Sequence, residues 1–143
     1  MKKVLMGASL LLVACSVAIM VMPTYTMVFG ANGGGHGYKT YRWFDGYLIV
    51  YFDVVPVISL ICAVVAGVGL IAGFWGSRRS GWVAVPCAIA AGLLAIFGYN
   101  ENRASYASGA GVWVAPLLAC VAAMSCAVWW IERRGAKGDP KSS

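Results

Sequence analysis

Few residues in this chain of 143 could do chemistry. Cys15, Cys62, Cys87, Cys120 and Cys126 are the thiols, and His36 is the single imidazole. Every cysteine lies inside an apolar run, no CxxC pair occurs, and His36 is far in sequence from any of them. Zinc or dithiol redox chemistry needs close ligand spacing, so the cysteines read as small hydrophobes, with no metal and no disulfide framework expected. Asp53 is the carboxylate nearest an apolar run. At a membrane boundary it can be hydrated or paired with Arg42 or Arg103. Within the apolar runs the polar groups are hydroxyls such as Ser59 and Ser125, with no Asp, Glu, Lys, Arg, His, Asn or Gln. Intramembrane acid–base catalysis and proton-coupled transport both need a titrating group at depth, so neither an enzyme nor a cofactor is expected.

The elements that hold these residues follow from composition. Hydrophobic residues make up 61% of the chain and charged residues 11%, a balance that water does not support. Four apolar runs, about 4–22, 54–76, 82–99 and 112–131, each approach the length needed to cross a hydrocarbon core of about 30 Å. They predict an all-α membrane protein, a four-transmembrane-helix bundle filling residues 1–134, with 135–143 a disordered cytoplasmic tail. Pro56, Pro86 and Pro116 fall near the first turns of the last three runs, where a missing N–H costs little. Trp75, Trp82, Trp113, Trp129 and Trp130 fall at run ends, as an interfacial belt requires.

Positive charge orients the runs. Lys2, Lys3, Arg78, Arg79, Arg133, Arg134, Lys137 and Lys141 fall on one side, against Lys39, Arg42 and Arg103 on the other. Positive residues stay inside, so both termini are expected in the cytoplasm. The net charge of +6 arises from these short clusters and from no amphipathic basic face, which argues against nucleic-acid binding.

Leu12, Val13, Ala14 and Cys15, after a two-lysine start, resemble the lipobox of a bacterial lipoprotein signal peptide. That resemblance implies cleavage before Cys15 and a lipid on its thiol. The chain remains apolar from Ser16 to Met22, which an uncleaved first span explains without further assumption. The expected location is a bacterial cytoplasmic membrane, multi-pass.

Helices in lipid associate through small residues. Candidate packing positions are Gly69 and Gly73 in GxxxG spacing, and Ala115, Ala119, Ala123 and Ala127 in an i+4 row. They serve either the bundle itself or a contact with another membrane protein or a second copy. The outer loop at 23–53 is the most distinctive segment. Five glycines in FGANGGGHG at 29–37 precede YKTYRWFDGYLIVYF at 38–52, which holds seven aromatics in fifteen residues. The i, i+4, i+8 stripe of Trp43, Tyr47 and Tyr51 favours an outward helical extension capped by Asp45. The alternative is a hairpin between YKTYRW and YLIVYF turning at Asp45 and Gly46. Tyr38, Tyr41, Arg42, Trp43, Tyr47 and Tyr51 are the candidate partner-binding residues, because Tyr, Trp and Arg dominate interface energetics.

Several four-span classes lack support. Small multidrug exporters carry an acidic residue in span one, thiol oxidoreductases a CxxC, and claudin-like and tetraspanin-like proteins loop cysteines. An accessory subunit or modulator of a larger membrane complex is the function expected. A holin-like permeabilising protein and a toxin or bacteriocin immunity protein are the alternatives.

Overall fold

A computed structural model of the chain describes residues 2–30, 36–45, 54–75, 80–98 and 105–137. Helix α1, Lys2–Val21, leads into strand β1, Tyr25–Gly30, and β2, His36–Tyr41. Helix α2 is Val55–Phe74. A 3-10 turn, Ser80–Val83, opens α3, Ala84–Leu93, which continues as a π-helical turn over Leu94–Gly98. Strand β3, Ser105–Ala107, and a second 3-10 turn, Gly109–Trp113, precede α4, Val114–Lys137.

Three of these helical stretches, Lys2–Val21, Val55–Phe74 and Gly109–Arg134, are long and apolar enough to cross a membrane. The fourth, Ala84–Gly98, is apolar but shorter. Helix α4 runs to Lys137, into the segment read from sequence as a disordered tail.

Buried positions recur with alternating steps of three and four. In α1 they are Met6, Ser9, Val13, Ser16 and Met20; in α2, Pro56, Ser59, Ala63, Ala66, Leu70 and Gly73. In α4 they are Val114, Leu118, Val121, Ser125 and Val128, with Ala115 buried beside Val114. This seven-residue period is that of a left-handed, knobs-into-holes seam, the commonest geometry of membrane bundles. Each seam mixes small residues with a few large ones, so backbones approach closely while Met6, Met20, Leu70 and Leu118 fill the gaps.

The seam accounts for where the small-residue rows fall. Gly73 is buried, and Gly69 lies so near the 3-10 turn that an added Cβ would sit 2.8 Å from Val83 Cγ2. Ala115 is buried, whereas Ala119, Ala123 and Ala127 are exposed on the outer surface of α4. A strict i+4 row drifts by about 40° per step around a helix of 3.6 residues per turn. Only its first member therefore meets the core.

The all-α expectation requires a correction at the end of the bundle opposite Lys2. β1 is the centre of a three-stranded antiparallel sheet in the order β2-β1-β3. Tyr25 stands opposite Tyr41 on one side and Ala107 on the other. Residues 36–41 are thus strand, and they form a hairpin with Tyr25–Gly30, upstream. The cause is the six-residue pairing available to β1, whose Val, Phe and Tyr content suits a pleated surface. Residues 46–53, including Tyr47, Tyr51 and Asp53, lie outside the described residues, as does Arg103.

Candidate interaction surface

Helix α1 ends at Val21, leaving its last carbonyls without intrahelical donors. Pro23 cannot continue the helix. Thr24 then turns back, its hydroxyl donating to the Ile19 carbonyl at 3.0 Å, with the Met22 carbonyl at 3.4 Å. The Trp43 amide takes the Met20 carbonyl at 3.3 Å. One side chain and one distant backbone group thereby close the helix.

Thr24 is also the joint of the sheet. Its hydroxyl accepts the Trp43 indole N–H at 2.9 Å, and its carbonyl accepts the Ser108 amide at 2.9 Å. Thr26 and Ser108 hydroxyls meet at 2.6 Å. The Trp43 and Tyr25 rings stack edge to face at 5.3 Å, both with no exposed surface. Gly111, packed against this joint, has no room for a side chain: a Cβ there would lie 2.5 Å from the Thr24 carbonyl oxygen. The cap is therefore tied to α1 and to the start of α4 by hydrogen bonds that lie mostly out of water, where each counts for more.

Among the sequence candidates, Trp43 and Tyr41 are removed from any docking surface by burial, at 0% and 7% exposed. Their physical role is packing: Trp43 has a buried partner for its N–H, which is the condition an indole needs to enter a core. Tyr38 remains outward at 65% exposed, and Arg42, four residues on, is exposed as well. Asp45, read from sequence as the cap of an outward helix, is the last described residue of this segment. Its carboxylate accepts the Arg42 amide at 3.3 Å while its own amide donates to the Arg42 carbonyl at 3.1 Å, closing a tight turn after β2. Phe44, at the tip of that turn, is exposed, and Lys39 Nζ stands 5.5 Å from the Tyr41 ring centroid. Tyr38, Arg42 and Phe44 form the outward aromatic and basic surface, held on a sheet and a closed turn.

Sequence reasoning did not single out Thr24, Tyr25, Ser108 or Gly111. The one signal available was Pro23 ending an apolar run, since a threonine just past a helix is well suited to take its terminal carbonyls.

The opposite end is organised by charge. Lys2 Nζ meets Glu132 Oε1 at 2.5 Å, so α1 and α4 are antiparallel with both outer termini together. Arg133 and Arg134 lie over the Trp129 and Trp130 rings, 4.0 and 3.5 Å from their centroids. Trp75, Trp82, Trp113, Trp129 and Trp130 are all exposed. Between the two ends, the buried polar groups of the helices are serine hydroxyls. Ser16 donates to the Leu12 carbonyl at 2.9 Å, while Ser9, Ser59 and Ser125 have no hydrogen-bond partner among the described residues. Ser9 is seven residues beyond Lys2 and Ser125 seven before Glu132, which brings them to one depth in the bundle. A hydroxyl with no adjacent base is a weak nucleophile. Cys15, Cys120 and Cys126 are exposed and Cys87 is buried. No group of three or more His, Cys, Asp or Glu comes together among the described residues.

No protein-family model matches the chain, and neither a curated protein nor a solved structure does.

Proposed function

We propose that the chain is a four-span protein of the cytoplasmic membrane, with both ends inside. Its role is a non-catalytic interaction, as an accessory subunit or modulator of a larger membrane complex.

Pairing of β3 with β1 supports the crossing count. Strands on either side of α2 and α3 share one sheet, so the chain between them crosses an even number of times. If α2 crosses, α3 must return. Ala84–Gly98 rises about 22 Å as a helix, and the 3-10 turn at Ser80–Val83 adds about 8 Å, together close to a hydrocarbon core. The Lys2–Glu132 contact agrees, since it joins the two ends on one side. The sequence assigns eight of the eleven Lys and Arg residues to that side, which supports reading it as the cytoplasmic one.

The observation that carries the interaction role is the built outer cap. A sheet drawn from two separate loops is locked to α1 through Thr24 and holds Tyr38, Arg42 and Phe44 outward. Preorganised aromatic and Arg side chains lose little entropy on docking, which is what an interface anchor needs. The partner expected is another membrane protein with an extracytoplasmic face. Purification in mild detergent should recover it in stoichiometric amount, and the Tyr38→Ala, Arg42→Ala double variant should weaken its retention by about 2 kcal/mol or more. A homogeneous wild-type monomer with no partner would contradict the role.

A further inference from the structure

Helix α3 is flanked by two apolar grooves. One, of about 410 Å³, runs between the start of α3 and the end of α4, lined by Trp82, Ala84, Val85, Cys126, Trp129 and Arg133. The other, of about 360 Å³, lies between α2 and α3 and shares Trp82 and Val85 as a common wall. Along α4 the first groove extends from Cys126 to Arg133, about 10 Å of helix. Its floor is apolar, its rim is two exposed tryptophans, and its mouth holds one guanidinium.

We infer that the α3–α4 groove is a binding site for an anionic phospholipid, with an acyl chain against Val85 and Cys126 and the phosphate at Arg133. Charge complementarity identifies the occupant. Tryptophans sit at headgroup level, so Arg133 lies where a phosphate would be. Arg133 Cζ lies 4.0 Å from the Trp129 ring centroid, which holds the guanidinium at the mouth of the groove, and a guanidinium can give two parallel N–H donors to phosphate oxygens. The shared wall of Trp82 and Val85 lets the second chain of the same lipid enter the α2–α3 groove from one headgroup. This site requires the bundle to be embedded in a membrane but does not depend on any partner at the outer cap.

Native mass spectrometry of the full chain, released from detergent micelles doped with dioleoylphosphatidylglycerol or dioleoylphosphatidylcholine, tests it. Wild type should retain a phosphatidylglycerol adduct and not a phosphatidylcholine one. Arg133→Gln should lower that retention about fivefold, the share one basic residue gives to anionic-lipid binding. Arg134→Gln removes the same charge outside the groove and should leave it nearly unchanged. Cys126→Trp, which fills the groove and keeps both arginines, should also lower retention, and circular dichroism checks its fold. If Cys126→Trp does not fold, the two arginine variants still decide. Equal retention of the two lipids, equal loss in both arginine variants, displacement by excess inorganic phosphate, or a dimer mass in place of the adduct would each overturn the assignment.

Discussion

Four segments of the chain converge on Thr24: the last turn of α1, the turn after β2, the residue following β3, and the 3-10 turn that opens α4. Its hydroxyl both donates to Ile19 and accepts from Trp43, so valine, which has the same shape, removes both bonds and leaves a buried indole N–H unpaired. An orphaned buried donor costs about 1–3 kcal/mol. Thr24→Val should therefore lower thermal stability in detergent, followed by tryptophan fluorescence, while Thr24→Ser keeps the hydroxyl and should retain most of it. At this scale the sequence was least legible. Trp43 could be an interface anchor or a core filler, since the same indole serves both, and only its hydrogen-bond partner distinguishes them. Nothing in the residues around Thr24 advertises that partner. Tyr38 and Arg42 stand on the surface, but their neighbours Tyr41 and Trp43 do not, because a strand and a tight turn direct successive side chains differently.

Among the elements, helices were more legible than strands. Apolar runs placed three spanning helices near their observed bounds, since run length alone carries that information. The faces were harder: Ala115, Ala119, Ala123 and Ala127 form a regular row, yet the observed seam steps by three and four and leaves the row after Ala115. β2 was visible in the tyrosine-rich composition of 38–41, but its upstream partner, Tyr25–Gly30, was not anticipated. β3 has three residues, too few to carry any period. Close approach between elements yields a paired prediction. Gly111→Ala would drive a methyl into the Thr24 carbonyl, whereas Gly92, on the exposed side of α3, has nothing within 4 Å of a new Cβ. Gly111→Ala should destabilise by roughly 1–3 kcal/mol through overpacking, and Gly92→Ala should leave stability unchanged or slightly raised. Thermal unfolding of the two variants side by side measures the difference.

Over the whole molecule, the bundle has two unlike ends. One is a hydrogen-bonded sheet with an aromatic and basic outer surface; the other carries the Arg133–Trp129 and Arg134–Trp130 pairs of α4 and the Lys2–Glu132 contact. The proposed partner contact belongs to the first and the proposed lipid site to the second, and both presuppose the same orientation in the membrane. The shortness of α3 is what makes the crossing count worth testing, because losing it would leave three crossings and put the termini on opposite faces. Labelling with a membrane-impermeant maleimide in intact cells tests this directly, using single cysteines at Lys3, Thr40 or Lys137 with the five native cysteines replaced by alanine. Thr40→Cys should label without permeabilisation, and Lys3→Cys and Lys137→Cys only after it. Labelling of Lys3→Cys and Lys137→Cys from opposite faces, or protection of Thr40→Cys in intact cells, would contradict the four-crossing account.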